Sequence, residues 1–518
     1  MQNQKVLLVT GELAEELVRK YASGSDVETE VKVLPISIAS FMNLKLLLKG
    51  MEEIKSDEYS MVLVPGLARF DLHDAEDRIR IPVFKGPKYA ADIPPVLDNL
   101  GKLELSKEKP ACEISKEKMS EWAEKQLKVA EEEAKSGVDK SRNFEIGGNG
   151  AKLWGGVDFP PRIVAEISDA PMRSNDELVK IADRYVQDGA EIIDIGMVSE
   201  KEMSSEIPRM ISTLRERVDV PISVDTHNKE EIETAIEHGI DLIVSINGST
   251  LDEFPSLEVP AVIVPVDPEE GYYPHDPSEK VKYLISLLER AEELGYRRAI
   301  GDPILEPVGL GFYDSLVSFY ELRKHNSKIP IFMGVGNVIE LFDADSVGMS
   351  ALLMGMANEV GASFVLSVEG SDKTRGNISE ISRARDMMTL ANYRNSVPKD
   401  LGLDLLILKE KRRSFDPYPE DIEQDKVTIQ ASPKKEFQYD SRGFFKIWVH
   451  ESEIITAFQG KESNIIIKGK NAEDICQEIV DRGLVSKLSH ASYLGRELQK
   501  AEIALRTGRA YVQEKDLF

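Results

Sequence analysis

Cysteine is nearly absent: Cys112 and Cys476 are the only two in 518 residues, and they lie far apart. That excludes a disulfide framework and a cysteine-rich metal site. No apolar run approaches the ~20 residues a membrane-spanning helix needs. The opening MQNQKVLLVTGELAEE passes straight into a strand-like run without a signal-peptide pattern, so a cytoplasmic protein with no membrane partner is expected. Basic residues are in the minority, 65 against 91 acidic, for a formal net charge of −26. Such a surface repels nucleic acid and anionic lipid.

Several reaction signatures are missing as well. The chain has no G-x-G-x-x-G, no G-x-x-x-x-G-K-[ST] and no G-x-S-x-G elbow. His227 and His238 share one segment but stand eleven residues apart, without the H-E-x-x-H zinc pattern. His227, next to a strand-end carboxylate, reads at most as a rim residue.

What is present is alternation. Lys5 to Thr10, Val31 to Pro35 and Met61 to Pro65 are apolar runs separated by helix-like segments, the pattern of a small α/β domain over residues 1–110. Ser115 to Ser136, dense in Glu, Lys and Ala, reads as a surface helix within a connector spanning 111–155, and glycine-rich Gly147 to Gly156 marks a boundary. From Arg162 onward eight strand-like runs recur, with amphipathic segments between nearly all of them: Arg162 to Ile167, Glu191 to Ile195, Pro221 to Val224, Asp241 to Ile246, Pro260 to Val266, Arg298 to Ile300, Ile329 to Met333 and Ala362 to Val368. Their number and spacing predict a (β/α)8 TIM barrel over 156–400 rather than an open doubly wound sheet.

Beyond Arg394 the alternation stops. A loop from Lys409 to Glu420 leads into strand-like runs at Lys426 to Gln430, Phe444 to His450, Ile454 to Phe458 and Asn464 to Ile467. Helical patterns follow at Ala472 to Arg482 and Ser489 to Thr507, so residues 410–518 read as an α+β domain, with His490 as an N-terminal residue of its last helix.

A barrel builds its site at the carboxyl ends of its strands, and there the polar residues gather. Strand one ends in Glu166, Ser168 and Asp169, strand two contains Asp194, strand three ends in Asp225 and Thr226, and strand four in Asn247. Strand six contains Asp302, strand seven runs into Asn337, and strand eight is followed by Glu369, Lys373 and Arg375. A strand-end aspartate also serves as a helix N-cap, and Asp225 fits that role. Asp194 and Asp302 interrupt apolar runs, IIDIG and AIGDPIL, where an unpaired carboxylate is costly. Carboxylates and amides facing one cavity suit a ligand rich in N–H donors, such as a 2-amino-4-oxo pyrimidine ring.

These residues carry a resemblance. DGAEIIDIG (Asp188 to Gly196), PISVDT (Pro221 to Thr226), Ile246–Asn247, GDPIL (Gly301 to Leu305) and GVGN (Gly334 to Asn337) are similar, in this order, to the pterin-binding barrels. That family includes dihydropteroate synthases and methyltetrahydropterin methyltransferases. The flanking regions, with HASYLGRELQKAEIALRTGRAYVQ near the end, resemble archaeal dihydropteroate-synthase-like proteins. The resemblance implies that Asp225, Asn247 and Asp302 hold a pterin ring, with Asp194, Asn337, Lys373 and Arg375 as further substrate contacts. It implies a transferase joining a hydroxymethyl-dihydropterin diphosphate to an arylamine in tetrahydromethanopterin or folate biosynthesis. Asp225, Asp302 and Arg375 would then be catalytic, and Mg2+ would sit on Glu166 and Asp169. The resemblance also leads to the expectation of a homodimer.

The departures from the family leave alternatives open. After strand one the chain reads EISDAPMRS, and the Lys after strand six and S-R-K after strand seven are replaced by GDPILEPVGLGF and GVGNVIE. Asn337 after strand seven is similar to the methyltransferase branch, in which a corrinoid protein accepts the methyl group. A pterin-binding protein without catalysis is the third reading.

Overall fold

The computed structural model describes residues 5–101, 103–113, 116–148, 152–199, 201–409, 429–431, 439–461 and 463–517. Residues up to Leu405 form one compact unit, and those from Leu406 form a second.

The first unit begins with a parallel four-stranded sheet of Lys5–Gly11, Thr29–Leu34, Tyr59–Val64 and Val83–Lys85, ordered second, first, third, fourth. The last of these, VFK, is too short to stand out as an apolar run. Leu7, Val9, Val62 and Val64 bury one face of the sheet, and Val6, Leu8 and Leu63 the other, so helices cover both sides.

Eight parallel strands then form the expected barrel: β1 (Arg162–Ile167), β2 (Ile192–Gly196), β3 (Ile222–Asp225), β4 (Leu242–Ile246), β5 (Ala261–Ile263), β6 (Ala299–Gly301), β7 (Phe332–Gly334) and β8 (Phe364–Val368). Neighbours in sequence pair from β1 to β6, β8 pairs with β1 and with β7, and the ring closes where Gly301 N–H donates to the Pro330 carbonyl at 3.0 Å. Strand periodicity sorts the side chains. Ile163, Ile193, Ile222, Ile243 and Val365 point outward into the layer shared with the helices. Val164, Ile192, Leu242, Val244, Val262, Ile300, Phe332 and Phe364 fill the interior.

Two expectations change here. The glycine-rich boundary flanks a hairpin, Asn143–Ile146 with Leu153–Gly156, whose Phe144, Ile146 and Leu153 join the interior cluster and plug the barrel floor; residues 149–151 lie outside the described residues. The connector helix, Lys116–Ser136, is not a surface element. Met119, Ala123 and Leu127, four apart, make an apolar stripe, and Ala123 and Leu127 pack against Leu390, Ala391, Leu401 and Leu403. A stripe only one residue wide is swamped by the surrounding charges in a composition reading.

The second unit is an antiparallel meander, Gly443–His450, Glu453–Gly460 and Asn464–Gly469, with helices Ala472–Asp481 and Leu488–Thr507 packed on one face. The strand expected at Lys426 to Gln430 falls largely outside the described residues; Ile429 and Gln430 belong to no strand. The loop expected over Lys409 to Glu420 lies outside them from residue 410. His490 sits within the first turn of the last helix, its Nδ1 3.1 Å from the buried Asp440 Oδ2. Glu497, 1% exposed, accepts from the Tyr511 hydroxyl and the Glu514 N–H, so the chain after the helix is strapped back onto it. Among the described residues no helix is long and apolar enough to cross a membrane.

Candidate functional site

Register puts the inward polar residues level with one another. Glu166 on β1 pairs with Asp194 on β2, which pairs with Ser223 on β3, and Gly196 pairs with Asp225 one step higher. Ser223 Oγ donates to Asp194 Oδ1 at 2.5 Å, while Asp194 Oδ2 is buried without a hydrogen-bond partner. Gly196 leaves room for Glu166, since a Cβ there would stand 2.5 Å from Glu166 Oε1.

On β4 the pattern breaks. Ile243 pairs with Ala261 but Ile246 with Ile263, so β4 spends an extra residue, and Ser245 takes a left-handed φ of 72°. This bulge keeps Ile246 facing out and brings Ser245 to Asp225, where Oγ donates to Oδ1 at 2.6 Å. Asn247 follows, 1% exposed, its Oδ1 accepting from the Ser249 N–H at 3.0 Å. Its Nδ2 has only a 3.5 Å contact to the Ser245 carbonyl, so the amide keeps donor capacity for a ligand.

Asp302 lies just past β6. Its N–H donates to the Ile263 carbonyl at 2.9 Å, and its Oδ1 accepts from the Ile304 N–H at 2.7 Å. Burial pushes the Asp302 carboxyl up to about 7, against the pull of the Ile304 N–H and with a further push from Asp225. Burial likewise pushes Glu166 up to about 7, helped by the charges of Asp225 and Asp169. Asp194 is raised well above its ordinary value by burial and by Asp225 and Glu166. Burial raises Asp225 too, against the Ser245 hydroxyl and His227. Four carboxyls thus share one desolvated region and resist ionising together.

A cavity of about 700 Å³ opens over the loops that follow β2 to β5. Glu166, Asp225, Asn247 and His227 line it; Asp194 is buried below, and Asp302 lies outside the wall but close enough for Asp225 to act on it by charge. Seven of the lining residues are Asp or Glu and two are Lys, of which Lys229 is bound to Glu253. The remaining candidates are not gathered there. Asn337 is exposed at the start of the short helix Gly336–Glu340. Lys373 Nζ is spent on the Phe342 carbonyl at 2.8 Å and on Asp343 Oδ1 at 3.2 Å. Arg375 is exposed in the loop after β8, and Asp169 is exposed in a left-handed turn, φ 50°.

Among the described residues no cluster of three or more metal-ligating side chains occurs. Mg2+ does not require one, because it is held by one or two carboxylates together with substrate oxygens and water. Burial, with smaller pushes from the charges of Asp225 and Asp169, raises Glu166, and a divalent cation beside it would favour the ionised carboxylate.

Sequence reading missed the supporting residues. Ser223 and Ser245 are single polar residues inside apolar runs, a signal open to period-two analysis. Thr226 Oγ1 donates to Glu231 Oε2 at 2.5 Å, and Glu231 Oε1 accepts from the Met203 N–H at 2.8 Å, tying the end of β3 to the loop after β2. Glu231 is 2% exposed on a helix face that reads as solvated.

The barrel and both flanking regions match known protein families. Residues 166–341 match the family described as pterin binding enzyme, residues 439–514 match PterinBD-DUF4346, and residues 4–88 match a family of unknown function, DUF6513. The dihydropteroate synthase of Bacillus subtilis is 28% identical over 237 residues, 42% of this chain and 80% of its own length. A solved Xanthomonas albilineans dihydropteroate synthase, in complex with indole-2-carboxylic acid and 6-chloroguanine, covers 49% of this chain and 98% of its own at 21% identity and a TM-score of 0.39. Uncharacterized protein MJ0107 of Methanocaldococcus jannaschii is 38% identical over 534 residues, spanning 99% of both chains. The chain belongs to the family of that protein, and within it the barrel matches the family described as pterin binding enzyme over residues 166–341, flanked by additional N- and C-terminal regions.

Proposed function

We propose that the barrel binds a reduced pterin and transfers its hydroxymethyl carbon from diphosphate to an arylamine, as the dihydropteroate synthases named above suggest. The observation that carries this reading is that Asp225 and Asn247 line one cavity at the strand ends, with the buried Asp302 close enough to feel the Asp225 charge. Asp302, with Oδ2 free of the Ile304 hydrogen bond, accepts from the ring's 2-amino and N3–H groups, and Asn247 Nδ2 donates to a ring acceptor. Burial excludes water from these contacts and strengthens them. In the reaction the carbon–oxygen bond to diphosphate breaks, a carbon–nitrogen bond forms, and the amine loses one proton as pyrophosphate leaves. Mg2+ on Glu166 and Asp169 would neutralise the leaving group. The test is pyrophosphate release on mixing a hydroxymethyl-dihydropterin diphosphate, 4-aminobenzoate or another arylamine, and Mg2+; no release at high enzyme concentration counts against it.

One observation favours a second reading, methyl transfer from a methylated tetrahydropterin to a corrinoid. Seven acidic residues line the cavity against two lysines, of which Lys229 is engaged by Glu253, and this excess of negative charge penalises a diphosphate but not an uncharged methyl donor. Demethylation of the pterin by added cob(I)alamin would support this, and failure to bind methylated pterins would remove it.

A further inference from the structure

Lys280 breaks two rules of its surroundings. It lies in the first turn of the helix Pro277–Glu293, where the helix dipole disfavours a cation, and it is only 3% exposed. Its Nζ donates to Glu306 Oε1 at 3.0 Å. Glu306 closes the turn that starts at Asp302, and its own N–H donates to Ser315 Oγ at 3.1 Å. Within that turn Ile304 holds a left-handed φ of 66°, a strained conformation for a β-branched residue, and it is this conformation that supplies the N–H to Asp302 Oδ1. A strained backbone persists only where neighbours over-determine it, and the Lys280–Glu306 pair is placed to do so.

We propose that Lys280 is a positioning residue of the pterin cup: through Glu306 it fixes the turn that aims Asp302, and through its charge it keeps Asp302 an acceptor for the ligand's N–H groups. This rests on the reading that the cup holds a pterin. The charged groups that act on Asp302 are Asp225 from β3, Lys280 from the helix after β5, and Glu306 from its own loop. Lys280 favours the ionised carboxyl, whereas Asp225 and Glu306 oppose it.

The two members of the pair therefore act on Asp302 in opposite directions, which separates positioning by charge from simple structural support. Affinity for 6-hydroxymethyl-7,8-dihydropterin is measured calorimetrically from pH 5.5 to 9 in the full chain, in Lys280→Met, in Glu306→Gln and in Asp302→Asn. Wild-type affinity should rise through neutrality. Lys280→Met should move that rise upward by about one pH unit, weakening binding several-fold at pH 7, and Glu306→Gln should move it downward. Equal, pH-independent losses in both variants, or no shift in either, would overturn the proposal. If Lys280→Met fails to fold, the direction of the Glu306→Gln shift decides alone. Wild-type affinity in Asp302→Asn would instead overturn the pterin reading itself.

Discussion

Ser245 Oγ donates to Asp225 Oδ1 at 2.6 Å from a residue with φ 72°, so the hydrogen bond exists because β4 bulges. Without the extra residue, period two would turn Ser245 to the outer face. Ser245→Ala removes the donor and keeps the strain; Ser245→Gly removes the donor and relieves it. Both should raise the Asp225 carboxyl further and weaken pterin binding by roughly tenfold, the worth of one hydrogen bond to a charged group. Only the alanine variant should also lose thermal stability, by about 1 kcal/mol relative to glycine. Calorimetry with a dihydropterin and a melting curve check both.

The cup should cost the fold stability at neutral pH. Asp302 has a folded value of about 7, above the ordinary carboxyl range, so the folded protein holds its proton where the unfolded chain releases it. Stability from this group is therefore intact in acid and declines as pH rises from about 4 to about 7. Asp302→Asn should be more stable than wild type at pH 8, by on the order of 3 kcal/mol, with no gain near pH 4, while pterin binding is lost. Denaturant melts at both pH values measure this, and equal stability at pH 8 would contradict it.

The barrel was legible because eight apolar runs with amphipathic partners leave few alternatives, and Asp225 and Asn247 because they end such runs. Lys280, Glu231 and Glu306 were not, because a charged residue in a helix or loop reads as solvated until packing buries it. The hairpin plug was hidden by the glycines that give it its tight course. Gly156 takes a φ of 135°, and a Cβ there would meet the Arg142 carbonyl at 2.4 Å. Lys373 and Arg375, basic residues in the loop after β8, lie outside the cavity wall, a placement that loop sequence alone does not convey.

The plug itself is open to test. Ile146 is fully buried in the interior cluster with Phe332 and Phe364. Ile146→Ala should destabilise the barrel by about 2–4 kcal/mol through the cavity it leaves. Because the floor lies at the opposite end from the cup, pterin affinity measured at a temperature where the variant is folded should stay within about twofold of wild type. A large affinity loss would show the two ends to be coupled.

A buried pair fastens the N-terminal sheet region to the barrel. Arg394, at the end of the last barrel helix, donates from Nη1 to Asp92 Oδ1 at 3.1 Å and from Nε and Nη2 to Gln126 of the connector helix at 2.8 and 2.5 Å; its side chain is 1% exposed and that of Asp92 2%. Burial nevertheless pushes Asp92 up to about 6, outweighing the pull of Arg394, and Asp92 Oδ2 has no hydrogen-bond partner. Desolvation thus outweighs attraction, and the pair matters chiefly when broken. Asp92→Ala strands the guanidinium and should cost about 3–5 kcal/mol. Asp92→Leu combined with Arg394→Leu removes both charges and should recover most of that loss. Melting temperatures of the three proteins give the comparison. Hydrogen exchange should show the single variant loosening residues 5–98 while the barrel strands stay protected; a double variant as unstable as the single one would mean that the pair contributes net stability, not only the cost of being broken.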